Sequence, residues 1–257
     1  MPDDTTEFTK ENIDLYFKEL SREYKKLGGR NTSVEIVLIG GAAIIESYGF
    51  RNMTTDIDAI IPAMGIMKDA ISHVGERFGL PNGWLNADFM KTSSYSPKLS
   101  AFSKPYKTFN QVLHVRYVTG EYLIAMKLKS GRQYKNDLSD IVGILAEHEK
   151  QKCPITKEAI SKAVTDLYGG WSEISEKSVA FINAILDNQR YGEMYAAIRE
   201  NEQNTRSVLI TFQEKYSGIL DEGNIDSVIE NAGKTGESKS SVKETLEMLK
   251  KQQKTKD

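Results

Sequence analysis

Hydrophobic positions change their period several times along the chain, and each change marks an element. Phe8, Ile13, Tyr16, Phe17, Leu20, Tyr24 and Leu27 recur at helical spacing, which predicts an amphipathic helix with Thr9 as N-cap and Gly28-Gly29 as its stop. Residues 34–39 form a β-branched and aliphatic run that ends in Gly40-Gly41, the pattern of a buried strand running into a tight turn. Residues 42–48 then have helical composition and stop at Gly49. In residues 56–61 (Asp-Ile-Asp-Ala-Ile-Ile), strand alternation sets Asp56 and Asp58 on one face and Ile57, Ala59 and Ile61 on the other. Met67, Ala70, Ile71, Val74 and Phe78 mark a further amphipathic helix, closed by Gly79.

Residues 80–110 lose the periodicity and mix turn signals, aromatics and Lys91, Lys98, Lys104 and Lys107. Two readings stay open there: a surface β-meander with solvated lysines, or a loop whose aromatics stack bases while its lysines hold phosphates. Residues 111–118 return to strand pattern, and Thr119 can cap a helix through Leu123, Met126 and Lys127 to Gly131. The next helix begins at Asn136 or Asp137, with Asp137 and Asp140 one turn apart. From Pro154 onward the pattern is helical, with helices expected over residues 156–168, 175–188, 196–202, 205–219 and 225–232. The class is therefore α/β (α+β), with a mixed sheet and flanking helices in residues 1–150, a helical domain in 151–232, and a charged tail, helical or disordered, in 233–257.

Composition narrows the partners. The 257 residues are 39% hydrophobic, enough for a core, and the net charge of −2 supplies no global basic field, although a local groove stays open. Residues 36–45, the longest nearly apolar stretch, are too short and glycine-broken to span a bilayer, and the acidic N-terminus is unlike a signal peptide, so a cytoplasmic protein with no membrane partner is expected. The single cysteine, Cys153, excludes an internal disulfide, and His73, His114 and His148 lack zinc spacing. Neither a P-loop nor a Gly-x-Gly-x-x-Gly run is present, which disfavours those nucleotide-binding chemistries.

The chemistry concentrates in residues 34–62. Two carboxylates on neighbouring same-face positions of an otherwise apolar strand repel each other, and a divalent cation removes the conflict; hard oxygen donors suit Mg²⁺ or Mn²⁺. The N–H groups after Gly40 and Gly41 open a helix, a position that favours phosphate. Phosphate cradle plus metal-binding strand equips a chain for phosphoryl or nucleotidyl transfer. The bland alternatives are a half-exposed strand whose acids face water, an ordinary glycine turn, and a solvated Lys127.

Residues 39–61, IGGAAIIESYGFRNMTTDIDAII, resemble the signature of the DNA-polymerase-beta-like nucleotidyltransferase superfamily. Residues 121–141, EYLIAMKLKSGRQYKNDLSDI, resemble the second half of the active site in bacterial abortive-infection and toxin–antitoxin nucleotidyltransferases, with Lys127, Arg132, Lys135, Asp137 and Asp140 at the matching positions. The resemblance implies an Mg²⁺- or Mn²⁺-dependent enzyme. Asp56 and Asp58 would hold the metal, Gly40 and Gly41 the outer phosphates of a nucleoside triphosphate, and Lys127 the leaving pyrophosphate. Asp137 would orient Lys127, act as a base, or merely cap its helix. Asp140 would pair with Arg132 or Lys135. The implied acceptor is an RNA (tRNA-like) end or a protein hydroxyl, and the implied setting a toxin with an antitoxin partner. This chain departs from the pattern at Gly41, where many members have Ser, and at Asn52, where an Arg is frequent and Arg51 stands one step away. The superfamily's third carboxylate has Asp88 as its best candidate. These departures keep open a degenerate fold that binds nucleotide or protein without catalysis.

Overall fold

The computed structural model describes residues 6–62, 65–221 and 224–234; most of the charged tail expected over 233–257 lies outside them. Thr9 opens the first helix, α1 (Lys10–Lys26), with its N–H bonded to Asn12 Oδ1 at 2.8 Å. The predicted stripe is the buried face: Ile13, Phe17, Leu20 and Tyr24 are fully enclosed. Gly28, in the left-handed region at φ 111°, turns the chain out of the helix, and residue 29 must be glycine because a Cβ there would run into the Tyr24 ring.

Among the described residues, five strands form one mixed sheet in the order β3-β2-β1-β5-β4. They are β1 (Val34–Leu38), β2 (Ile57–Ile60), β3 (Leu85–Asn86), β4 (Ser103–Phe109) and β5 (Leu113–Val118). The central β1 runs parallel to β5, with Ile36 beside Val115, and antiparallel to β2, with Val37 beside Ile60. β2 and β3 are parallel, whereas β4 and β5 form an antiparallel hairpin. Asn110 and Gln111, at φ 46° and 63°, lie in the three-residue connection of that hairpin, where the Val112 N–H donates back to the Phe109 carbonyl at 3.2 Å. Residues 80–110 defeated periodicity because they hold only the two-residue β3, two 3-10 turns (Asp88–Lys91 and Pro97–Phe102) and the edge strand β4. Gln111 belongs to the hairpin turn, so the strand expected over 111–118 starts two residues later.

The helices that flank or follow the sheet are α2 (Gly40–Ser47), α3 (Gly65–Phe78), α4 (Gly120–Ser130), α5 (Asp137–Lys150), α6 (Lys157–Tyr168), α7 (Glu176–Asn188), α8 (Tyr191–Lys215) and α9 (Ile225–Lys234). Thr156 and Ser175 cap α6 and α7 by accepting the N–H of Ala159 and Ser178, both at 3.2 Å. The separate helices expected over 196–202 and 205–219 are instead joined in the 25-residue α8. Its polar middle, Asn-Glu-Gln-Asn-Thr, contains neither Gly nor Pro, and a polar stretch does not by itself break a helix.

The chain divides into two compact units. One runs up to Gly131 and resumes over Asp140–Met194; the other comprises Arg132–Ser139 and the described chain from Tyr195 onward. Residues up to Met194 stay with the sheet, where α6 packs on α4. The second unit has its own small core of Leu209, Phe212 and Val228, surrounded by Tyr134, Tyr216, Ile219, Leu220, Ile225 and Ile229. No described helix is long and apolar enough to cross a membrane.

Candidate functional site

β1 ends where the Ile39 N–H donates to the Asp58 carbonyl at 3.0 Å, which fixes the following bend against β2. Gly40 sits in the left-handed region at φ +55°, and a Cβ on it would come 3.4 Å from Asp58 Oδ2. The Asp58 carboxylate therefore lies directly beside the bare Cα that begins α2. A Cβ on Gly41 would fall 2.6 Å from Thr54 Oγ1 and 2.9 Å from Arg51 Nη2. Glycine is required at 41 because the loop leading into β2 lies over the first turn of α2. That loop is pinned in turn by paired backbone bonds between Thr54 and Phe8, at 2.7 and 2.9 Å.

Burial alternates along β2 as expected, with Ile57 and Ala59 fully buried and Asp58 half-buried. The strand begins at Ile57, however, so Asp56 stands in the bend before it and is exposed. Asp88 opens a 3-10 turn just past Asn86, the register partner of Asp58, and its exposed carboxylate pairs with Lys91 at 2.8 Å. Among the described residues no three His, Cys, Asp or Glu side chains gather as a metal-binding group. The donor set of Asp56 and Asp58 still fits a hard divalent ion that keeps several waters and shares its shell with substrate phosphates, and the uncovered Cα of Gly40 leaves space beside Asp58 for such a group.

Lys127, on α4 as expected, is buried at 5% exposure rather than solvated. Its Nζ lies 2.7 Å from Asp140 Oδ2, and Arg51 Nη1 donates to the same oxygen at 2.8 Å. Asp140 is fully buried, and its Oδ1 has no hydrogen-bond partner. One carboxylate is thus shared by two cations, which leaves the trio with a net positive charge beside the glycine bend. This corrects the expected pairing of Asp140 with Arg132 or Lys135. Arg132 instead donates to Asp137 Oδ2 at 2.8 Å, and Asp137 is itself 2% exposed at the start of α5. Asp140, one turn further along α5 than Asp137, thus places a carboxylate directly beside Lys127. Arg51 is the residue the motif pattern underrated. Its Nε also holds the Met53 carbonyl at 3.0 Å, so the guanidinium ties its own loop to α5.

The lysines of residues 80–110 are largely engaged in holding the fold. Lys91 pairs with Asp88, Lys98 donates to the Asp166 carbonyl at 2.8 Å, and Lys107 pairs with Asp14 at 2.6 Å. These contacts favour the structural reading of that segment.

Comparison with known proteins finds no match among curated proteins and none among solved structures. A family profile described as "Nucleotidyltransferase of unknown function (DUF6036)" matches residues 16–149, which span the glycine bend, Asp58, Lys127 and Asp140. The match covers more than half of the chain, and the chain therefore belongs to this nucleotidyltransferase family.

Proposed function

We propose that this protein transfers a nucleotide from a nucleoside triphosphate to an acceptor hydroxyl with Mg²⁺ or Mn²⁺ as cofactor. The observation that carries this reading is the placement of Asp58 Oδ2 against Gly40 while Arg51, held by the Asp140 that also binds Lys127, lies against Gly41. Asp56 and Asp58 are the residues that would hold the ion, which when bound supplies charge neutralisation and lowers the pKa of an acceptor hydroxyl. The first N–H groups of α2 lack intrahelical acceptors and suit the outer phosphates. Lys127 and Arg51 offset negative charge on the leaving pyrophosphate, and because both are already anchored on Asp140 they need little reorganisation to do so. By resemblance, the acceptor is an RNA end or a protein hydroxyl, and the chain acts as a toxin countered by an antitoxin.

Incubation of the full chain with α-labelled triphosphates, Mg²⁺ or Mn²⁺, and candidate RNAs and proteins tests this. Label transfer should fall at least about 100-fold in Asp58→Asn, the scale expected when a group that stabilises transition-state charge is removed. Equal transfer by the variant would overturn the assignment. The two-acid donor set favours one other reading, nucleotide binding without transfer, which predicts tight triphosphate binding without metal and no pyrophosphate release in calorimetry.

A further inference from the structure

We propose that Glu46 is kept as a neutral carboxylic acid in the folded protein and acts as a proton-controlled latch seating α2 against α1 and β4. Glu46 lies in the last turn of α2, where a solvated glutamate would be ordinary, yet it is only 6% exposed. Both of its carboxyl oxygens are buried without a hydrogen-bond partner. The groups that face it are Lys10 and Asp14 from α1 and Tyr106 and Lys107 from β4. The one phenolic proton of Tyr106 goes to Asp14 Oδ1 at 2.9 Å, so Tyr106 offers Glu46 only a shared donor. Lys107 grips the other oxygen of Asp14 at 2.6 Å and keeps that carboxylate an acceptor. Lys10 Nζ reaches only the Glu46 backbone carbonyl, at 3.4 Å.

An ionised Glu46 would thus be a buried anion with only a shared donor, beside a second anion. A protonated Glu46 has one good option: its hydroxyl donates to the Tyr106 oxygen and completes a relay from Glu46 through Tyr106 to Asp14. Burial pushes the Glu46 carboxyl up, while Tyr106 pulls it down; the Asp14 charge raises it further, and Lys10 and Lys107 oppose. Burial and the two neighbouring carboxylates likewise hold the Tyr106 phenol far above its ordinary range, so it stays a donor throughout. Glu46 therefore binds its proton more tightly folded than unfolded. The stabilisation is fully present below the ordinary glutamate range and is lost as pH rises through the elevated folded-state titration. Since α2 begins at Gly40, ionisation loosens the helix whose other end forms the bend.

The test uses the full chain and does not depend on catalysis. In E46Q the side chain is uncharged at every pH. Between about pH 5 and pH 9 the wild-type Tm should fall relative to that of E46Q, and infrared spectra at neutral pH should contain a protonated-carboxyl band that E46Q lacks and that is lost on alkaline titration. Parallel Tm curves, or no such band in the wild type, would overturn the latch. Should E46Q not fold, the band in wild-type protein with ¹³C-labelled glutamate decides alone: present and shifted by the label it supports the latch, absent it removes it.

Discussion

Two buried carboxylates, Asp140 and Glu23, do opposite kinds of work, and their substitution should show it. Asp140 is enclosed with the cations of Lys127 and Arg51 and has no access to water. Asp140→Asn removes the buried charge that Lys127 and the half-buried Arg51 share, and breaking a buried ion pair from one side costs roughly 3–5 kcal/mol. Urea unfolding should register a loss of about 3 kcal/mol, and Asp140→Glu should not restore it because the longer side chain cannot place one oxygen between both cations. Glu23, by contrast, joins helices near the surface: Arg77 and Lys26 hold its carboxyl down at about 2, helped by His73 against the opposing effect of burial. A depressed folded-state value means the stabilisation is present above pH 4.5 and is lost as pH falls toward 2. Because Arg77 and Lys26 are substantially exposed, the full linkage is screened, and we expect about 1–2 kcal/mol at neutral pH. Thermal unfolding of Glu23→Gln against wild type should show that gap closing between about pH 4.5 and pH 2. Asp58 and Lys127 were legible as residues because each sits in a motif with fixed local spacing. The Arg51–Asp140 contact was not, since its partners lie 89 positions apart and no local pattern joins them.

At the scale of elements, the glycine bend offers a contrast within a single loop and helix. A Cβ at Gly41 meets Thr54, which is 3% exposed and held to Phe8 by backbone bonds, so it has no room to retreat. Gly41→Ala should therefore destabilise by about 1–3 kcal/mol, the range for overpacking, and should displace Arg51 from its place over α2. Gly40→Ala adds no comparable clash but places an L-residue at φ +55°, worth about 1–2 kcal/mol. Gly49, just past α2, has open space for 4 Å around the position a methyl would take and no left-handed backbone, so Gly49→Ala should be neutral or stabilising by up to about 1 kcal/mol. Differential scanning calorimetry of the three variants should rank them in that order, and a Gly41→Ala protein as stable as wild type would show that the loop does not press on the helix. Elements with several turns were legible: α1 begins behind Thr9 as expected, and α6 and α7 begin one residue inside the expected starts at 156 and 175, where Thr156 and Ser175 act as caps. Those that escaped were the two-residue β3 and the 3-10 turns, too short for any period to declare itself, and the continuity of α8, whose polar middle mimics a linker in sequence although Glu202 within it is buried.

For the whole molecule, the helical pattern after Pro154 could not reveal which helices belong together, because an apolar stripe states that a partner exists without naming it. The stripe of α6 (Ile160, Ala163, Val164, Leu167) is buried in the sheet unit, whereas Leu209 and Phe212 of α8 meet Val228 of α9 in the other. The second unit is held at its other end by polar contacts: Glu202 Oε1 accepts the Leu138 N–H at 2.8 Å, and Arg206 donates to the Tyr134 carbonyl at 3.2 Å. Its fully buried apolar set is small, so each member carries a large share of local stability. Phe212→Ala removes the largest of these side chains and should cost about 3 kcal/mol, at the lower end of the range because a core this small and partly solvated can relax around the void. Native-state hydrogen exchange locates the loss. Amides of α9 and of the Phe212 end of α8 should lose protection by roughly 100-fold, the equivalent of about 3 kcal/mol, while those of β1 and β5 keep theirs. Equal loss in the strands would mean that the two compact units open as one, and that the Leu209–Phe212–Val228 cluster is a peripheral part of a single cooperative core.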